Sequence, residues 1–110
     1  MNNLYEFTMK VSPGSGTEMP DGIIGAYVAC YAAASDYQAA LRKGVSAITQ
    51  MGYKFDDIKN DVREVPLDSW GAYLDKVWPE YIDQMPSVAQ LPEVVKRGQI
   101  FFGPFIGFSG

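Results

Sequence analysis

A chain of 110 residues with 47% apolar and 20% charged residues has the size and composition of one globular domain and is not a disordered chain. Histidine is absent and Cys30 is the only cysteine, which excludes His-based triads, imidazole metal ligands and an internal disulfide. The net charge of −4 repels phosphate backbones and argues against nucleic acid as a partner.

Leu4 to Val11 alternates, with Tyr5, Phe7, Met9 and Val11 on one side and Glu6, Thr8 and Lys10 on the other, the period of a half-exposed strand. Residues 12–22 are rich in Gly, Ser and Pro and predict a long turn-rich loop. Within it Gly14-Ser15-Gly16-Thr17 lacks the spacing and following lysine of a phosphate cradle. Ile23 to Ala34 predicts a second strand, apolar on both faces. Ser35 or Asp36 then caps a helix to about Met51, with Tyr37, Leu41, Val45, Ile48 and Met51 as its buried stripe and Gly52 as its stop.

Tyr53 to Val65 is expected as one strand, because Pro66 favours an extended predecessor. Its parity slips, which predicts a bulge near Asp56-Asp57, although Phe55, Ile58, Val62 and Val65 also fit a helical period. Asp68 can cap a helix that turns Trp70, Tyr73, Leu74 and Val77 inward and gives way at Pro79. Leu91 to Gly98 has the order of another brief helix, and Ile100 to Phe108 that of the last strand. The expected fold is a single α+β domain over residues 1–110. A four-stranded mixed or antiparallel sheet in ββαβαβ order carries two or three helices on one face, a ferredoxin-like variant.

If the helices cover one face, the other displays Tyr27, Tyr31, Phe101 and Phe105 with almost no charge. A patch of that kind marks a contact, so the first expectation is a binding or assembly module that pairs as a homodimer through this aromatic face or encloses a small apolar ligand. In the last strand, Pro104 favours an edge position or a bulge. The second expectation uses the acidic stretch, residues 53–93, which holds nine acids and four bases. In size and charge the chain resembles immunity proteins, which implies a basic protein partner held by Asp56, Asp57, Asp61, Glu64 and Trp78. The third is a cofactor-free enzyme using shape and tyrosines on a dimeric ferredoxin-like scaffold. Those carboxylates are interleaved with Lys59 and Arg63 and divided between faces, so neither a metal site nor an acid–base pair is predicted, and no cofactor is called for. Cys30, flanked by Ala29 and Tyr31 in an apolar strand, reads as core rather than nucleophile. The start lacks a basic, apolar leader, and the run from Ile23 to Ala34 is too short to span a bilayer. The expected location is therefore cytoplasmic, with no membrane partner.

Overall fold

The computed structural model describes residues 2–14, 22–59 and 61–109. The Gly14–Thr17 segment compared with a phosphate cradle lies largely outside them, as does most of the expected loop at residues 12–22. The described chain forms an α+β fold with an antiparallel sheet: β1 (Asn3–Pro13), β2 (Ile23–Ala34), α1 (Tyr37–Gln50), β3 (Tyr53–Ile58), β4 (Arg63–Glu64), α2 (Trp70–Val77), α3 (Leu91–Lys96) and β5 (Ile100–Ser109). Short 3-10 turns at Leu67–Ser69 and Ile82–Gln84 flank α2. No described helix is long and apolar enough to cross a membrane.

The sheet order is β3-β1-β2-β5, and β4 continues the edge of β3 along β1. The expected third strand is therefore two strands, β3 and β4, which brings the count to five. A bulge does interrupt the first: Lys10 pairs with Asp57 and Val11 with Phe55, so Asp56 is the extra residue. The ferredoxin-like arrangement is not confirmed: β1 and β2 pair directly as a long antiparallel hairpin, and the sheet order is β3-β1-β2-β5.

Nor do the helices share a face. β2 and β3 run in the same direction on either side of β1, so β2–α1–β3 is a crossover that covers β1 and β2 on one side. The return from β4 to β5 spans the same two strands. With α1 already in place, α2 and α3 occupy the opposite side, and two separate cores result. One joins Phe7, Met9, Val28, Cys30 and Ala32 to Ala40 and Ile48 of α1. The other joins Leu4, Tyr31 and Ala33 to Trp70 and Leu74 of α2 and to Leu91 and Val95 of α3.

Local chemistry explains the helix ends. Asp36 caps α1, its Oδ1 accepting the Ala39 N–H at 2.8 Å, and Gly52 follows the helix with a positive φ of 94°. The buried stripe differs from the expected one: Ala40, Gly44 and Ile48 face the sheet, whereas Tyr37 and Met51 are exposed. A Cβ on Gly44 would lie 2.6 Å from the Phe7 ring and 3.0 Å from the Cys30 sulfur. The helix thus packs by its smallest residues, and the larger Leu41 and Val45 flank the contact. Asp68 sits in the 3-10 turn and does not cap α2, whose first residue is Trp70.

Candidate functional site

The face under α2 and α3 is only partly closed. α2 is eight residues long and α3 six, and together they cover the end of the sheet where Leu4, Tyr31 and Ala33 lie. Beyond Trp78 no described helix or turn covers the same face. A cleft of about 310 Å³ forms there, at the small end of the range for ligand sites. Its floor is Glu6 and Thr8 of β1, Tyr27, Ala29 and Tyr31 of β2, and Pro104 and Ile106 of β5. The end of α2 supplies a wall of Tyr73, Val77 and Trp78, and Lys59 stands at the rim.

A hydrogen-bonded trio anchors the inner end. The Trp78 Nε1–H donates to the Tyr31 hydroxyl at 2.6 Å, and that hydroxyl lies 2.7 Å from the hydroxyl of Tyr73. The Tyr31 ring is fully buried, stacked on Phe101 at 5.0 Å and edge-on to Trp70 at 5.7 Å. Trp70 donates its own N–H to the Pro86 carbonyl at 2.8 Å, which ties the segment after α2 to the helix. Gly103 matters at this spot, since a Cβ there would meet the Trp78 ring at 3.3 Å and the Ala29 Cβ at 3.3 Å. Its lack of a side chain lets the indole lie down on the sheet.

Glu6 is the cross-strand partner of Tyr31 on one side and of Arg63 on the other. Neighbours in such pairs have Cβ atoms about 5 Å apart, so the carboxylate stands beside the tyrosine. Burial raises the Glu6 pKa, and the Arg63 guanidinium, 4.0 Å away, opposes that shift in part. Both phenols are also pushed up, Tyr31 and Tyr73 alike, chiefly by burial. The Lys59 ammonium lies over the Tyr27 ring, 4.1 Å from its centroid.

Three of the four residues expected on one aromatic surface do share this face, and they differ in access. Tyr31 is enclosed, Phe101 is half-buried against the α2–α3 core, and Tyr27 is half-exposed on the cleft floor. Phe105 is on the other side of the sheet. The register slips so that Phe102 pairs with Cys30 but Phe105 with Val28, and the extra residue at the Pro104 bulge exchanges the faces of everything after it. Phe105 therefore meets Tyr53 and Phe102, and Ile106 and Phe108 take the cleft side, with Phe108 against Tyr27 at 5.1 Å. A single flat interface of Tyr27, Tyr31, Phe101 and Phe105 is not formed.

The acidic residues do not converge either. Asp56 sits in the β3 bulge and accepts from the Ser12 hydroxyl at 3.2 Å. Asp57 accepts the Ile58 N–H, Asp61 lies between β3 and β4, and Glu64 pairs with Tyr5. Trp78 is tied to the tyrosine pair instead. No cluster of three potential metal ligands occurs among the described residues. Cys30 is buried, and its thiol is pushed up to about 12 by burial and by the charge of Glu6, so it stays protonated. A wider, open groove of about 770 Å³ lies between α1 and α3; the ammonium of Lys43 on its wall is already held by the Ala33 and Gly98 carbonyls.

Glu6, Thr8, Lys59 and Tyr73 are the polar cleft residues that sequence reasoning missed, along with the apolar Ala29, Val77, Pro104 and Ile106. The alternation of β1 does place Glu6 and Thr8 opposite Phe7, but nothing in the chain fixes which residues of β2 they meet. No family model matches the chain, and no curated protein or solved structure matches it.

Proposed function

We propose that this chain is a binding module for a small, largely apolar ligand, held on the uncovered half of the sheet face between Tyr27 and Trp78. The observation that carries this reading is the cleft of about 310 Å³ whose polar inner end is organised by the Trp78–Tyr31–Tyr73 hydrogen bonds. Apolar walls with a few fixed polar groups are the usual make-up of such sites. Amide chemical shifts recorded with neutral mono- and bicyclic aromatic fragments test it. Perturbations should concentrate at Thr8, Ala29, Tyr31 and Trp78 and vanish in Thr8→Trp, which fills the cleft from the half-buried side of β1. Shifts that fall instead in the groove between α1 and α3 would overturn the reading.

Self-association is a second reading, supported by β5. This is a ten-residue edge strand with Phe105 and Ile106 exposed by 37% and 56%. Light scattering over a range of concentrations tests it, and an unvarying monomer mass would remove it.

A further inference from the structure

The trio at the inner end of the cleft has one more hydrogen than it uses. Trp78 Nε1, Tyr31 Oη and Tyr73 Oη carry one hydrogen each and make two hydrogen bonds among themselves. The direction of the tyrosine–tyrosine bond does not change the count. If Tyr31 donates, the Tyr73 hydrogen is left over; if Tyr73 donates, the Tyr31 oxygen accepts twice and its own hydrogen is left over. No further bond from either hydroxyl is made among the described residues. Both tyrosines line the cleft, so an acceptor atom lodged at its inner end meets a phenolic hydrogen that no protein acceptor holds.

The surroundings select among acceptors. Burial that keeps both phenols protonated also disfavours an anion at the same spot, and the Glu6 carboxylate beside Tyr31 repels one. The cations nearby are otherwise engaged, Lys59 over the Tyr27 ring and Arg63 beside Glu6. Ala29, Pro104 and Ile106 leave an apolar floor for the rest of the molecule. Resting on the proposal that this cleft is a ligand site, we infer that it takes neutral molecules with a flat apolar body and one carbonyl oxygen, and that the unused phenolic hydrogen of the Tyr31–Tyr73 pair donates to that oxygen.

Three probes of matched shape separate the possibilities: 2-acetylnaphthalene, 2-ethylnaphthalene and 2-naphthoate. The ketone should bind about three- to tenfold more tightly than the hydrocarbon, the range of one net hydrogen bond, and the carboxylate should bind most weakly. The infrared carbonyl band of the bound ketone should move to lower frequency. Tyr73→Phe leaves the Tyr31 hydrogen in place and should keep the preference. The triple variant Tyr31→Phe/Tyr73→Phe/Trp78→Phe, which also removes the indole N–H that loss of Tyr31 would free at the inner end of the cleft, should lose both preference and band shift while still binding 2-ethylnaphthalene. Should that variant fail to fold, the wild-type ranking and band shift decide the matter. Equal affinities for ketone and hydrocarbon with an unmoved band, tighter binding of the carboxylate, or a preference that survives the triple variant would each overturn the inference and leave the cleft as a binding site. Failure of all three probes to bind would overturn the cleft reading with it.

Discussion

Beneath α1 the sheet presents Phe7, Met9, Val28 and Cys30, all buried, and the helix answers with Ala40, Gly44 and Ile48. On the reverse side the corresponding layer is Tyr31, Trp70, Tyr73 and Trp78, and its packing is threaded with hydrogen bonds. One 14-residue helix lies close enough to the first face that even a Cβ on Gly44 would be crowded. The second face is closed by two short helices, two 3-10 turns and a loop, whose bulk comes from aromatic rings instead of from close helix approach. A long helix can seal a sheet with small residues. Short pieces need large side chains to fill the same depth, and where the pieces end the sheet is left open among the described residues.

The sharpest way to break this contrast is to remove the aromatic bulk. Trp70→Ala deletes the largest fully buried side chain and the hydrogen bond to Pro86. It should cost about 3–5 kcal/mol, a large part of the stability of a domain this size, and denaturant unfolding would measure it. On the α1 face the reverse operation is the damaging one. Gly44→Val adds bulk where a Cβ already reaches the Phe7 ring, and overpacking of this kind costs about 1–3 kcal/mol. A Gly44→Val protein as stable as wild type would show that α1 can lift from the sheet, and the close-packed face would lose its distinction from the aromatic one.

Next in size is Tyr31→Phe, which leaves the Trp78 N–H at the inner end of the cleft without its acceptor and should cost about 1–3 kcal/mol. Tyr73→Phe removes one hydroxyl from a half-buried side chain and leaves the Trp78 N–H its acceptor, so its cost should be nearer 1 kcal/mol. Thermal unfolding of the two variants side by side checks the order, and equal losses would mean that the indole has no need of Tyr31.

Much of the α1 face was legible in the sequence, because its signals are local. Asp36 and Gly52 mark the helix ends by their own chemistry, and the alternation of Phe7, Met9 and Val11 gives their shared side. The bulge at Asp56 also showed in a broken parity. The reverse face was less legible for reasons that are not local. Counting helices does not say on which side each lies, and that depends on which strands the earlier crossover has already covered. Pro104 announces a bulge or an edge, and β5 has both, but the face taken by Phe105 depends on the register with β2. The cleft pairing of Glu6 with Tyr31 depends on how a hairpin with a long connection closes, which no spacing within either strand reveals.

The smallest expected effect concerns Glu6, the charged residue that the open face sets beside its tyrosines. Its folded pKa is raised because burial disfavours the carboxylate more than Arg63 favours it. Between the unfolded and folded titrations the native state therefore holds the proton that the unfolded chain has released, and stability falls as pH rises through that window. Glu6→Gln removes the ionisable group and should flatten the fall, so the variant should gain a little stability over wild type at pH 7 and none at a pH below both titrations. The ion pair with Arg63, whose own side chain is exposed, is too weak at 4.0 Å to reverse the sign. Thermal melts of both proteins from pH 3 to pH 8 decide it. If Glu6→Gln is the less stable protein at pH 7, the carboxylate is serving the cleft through a stabilising contact, and the open half of this face is held together by charge as well as by its rings.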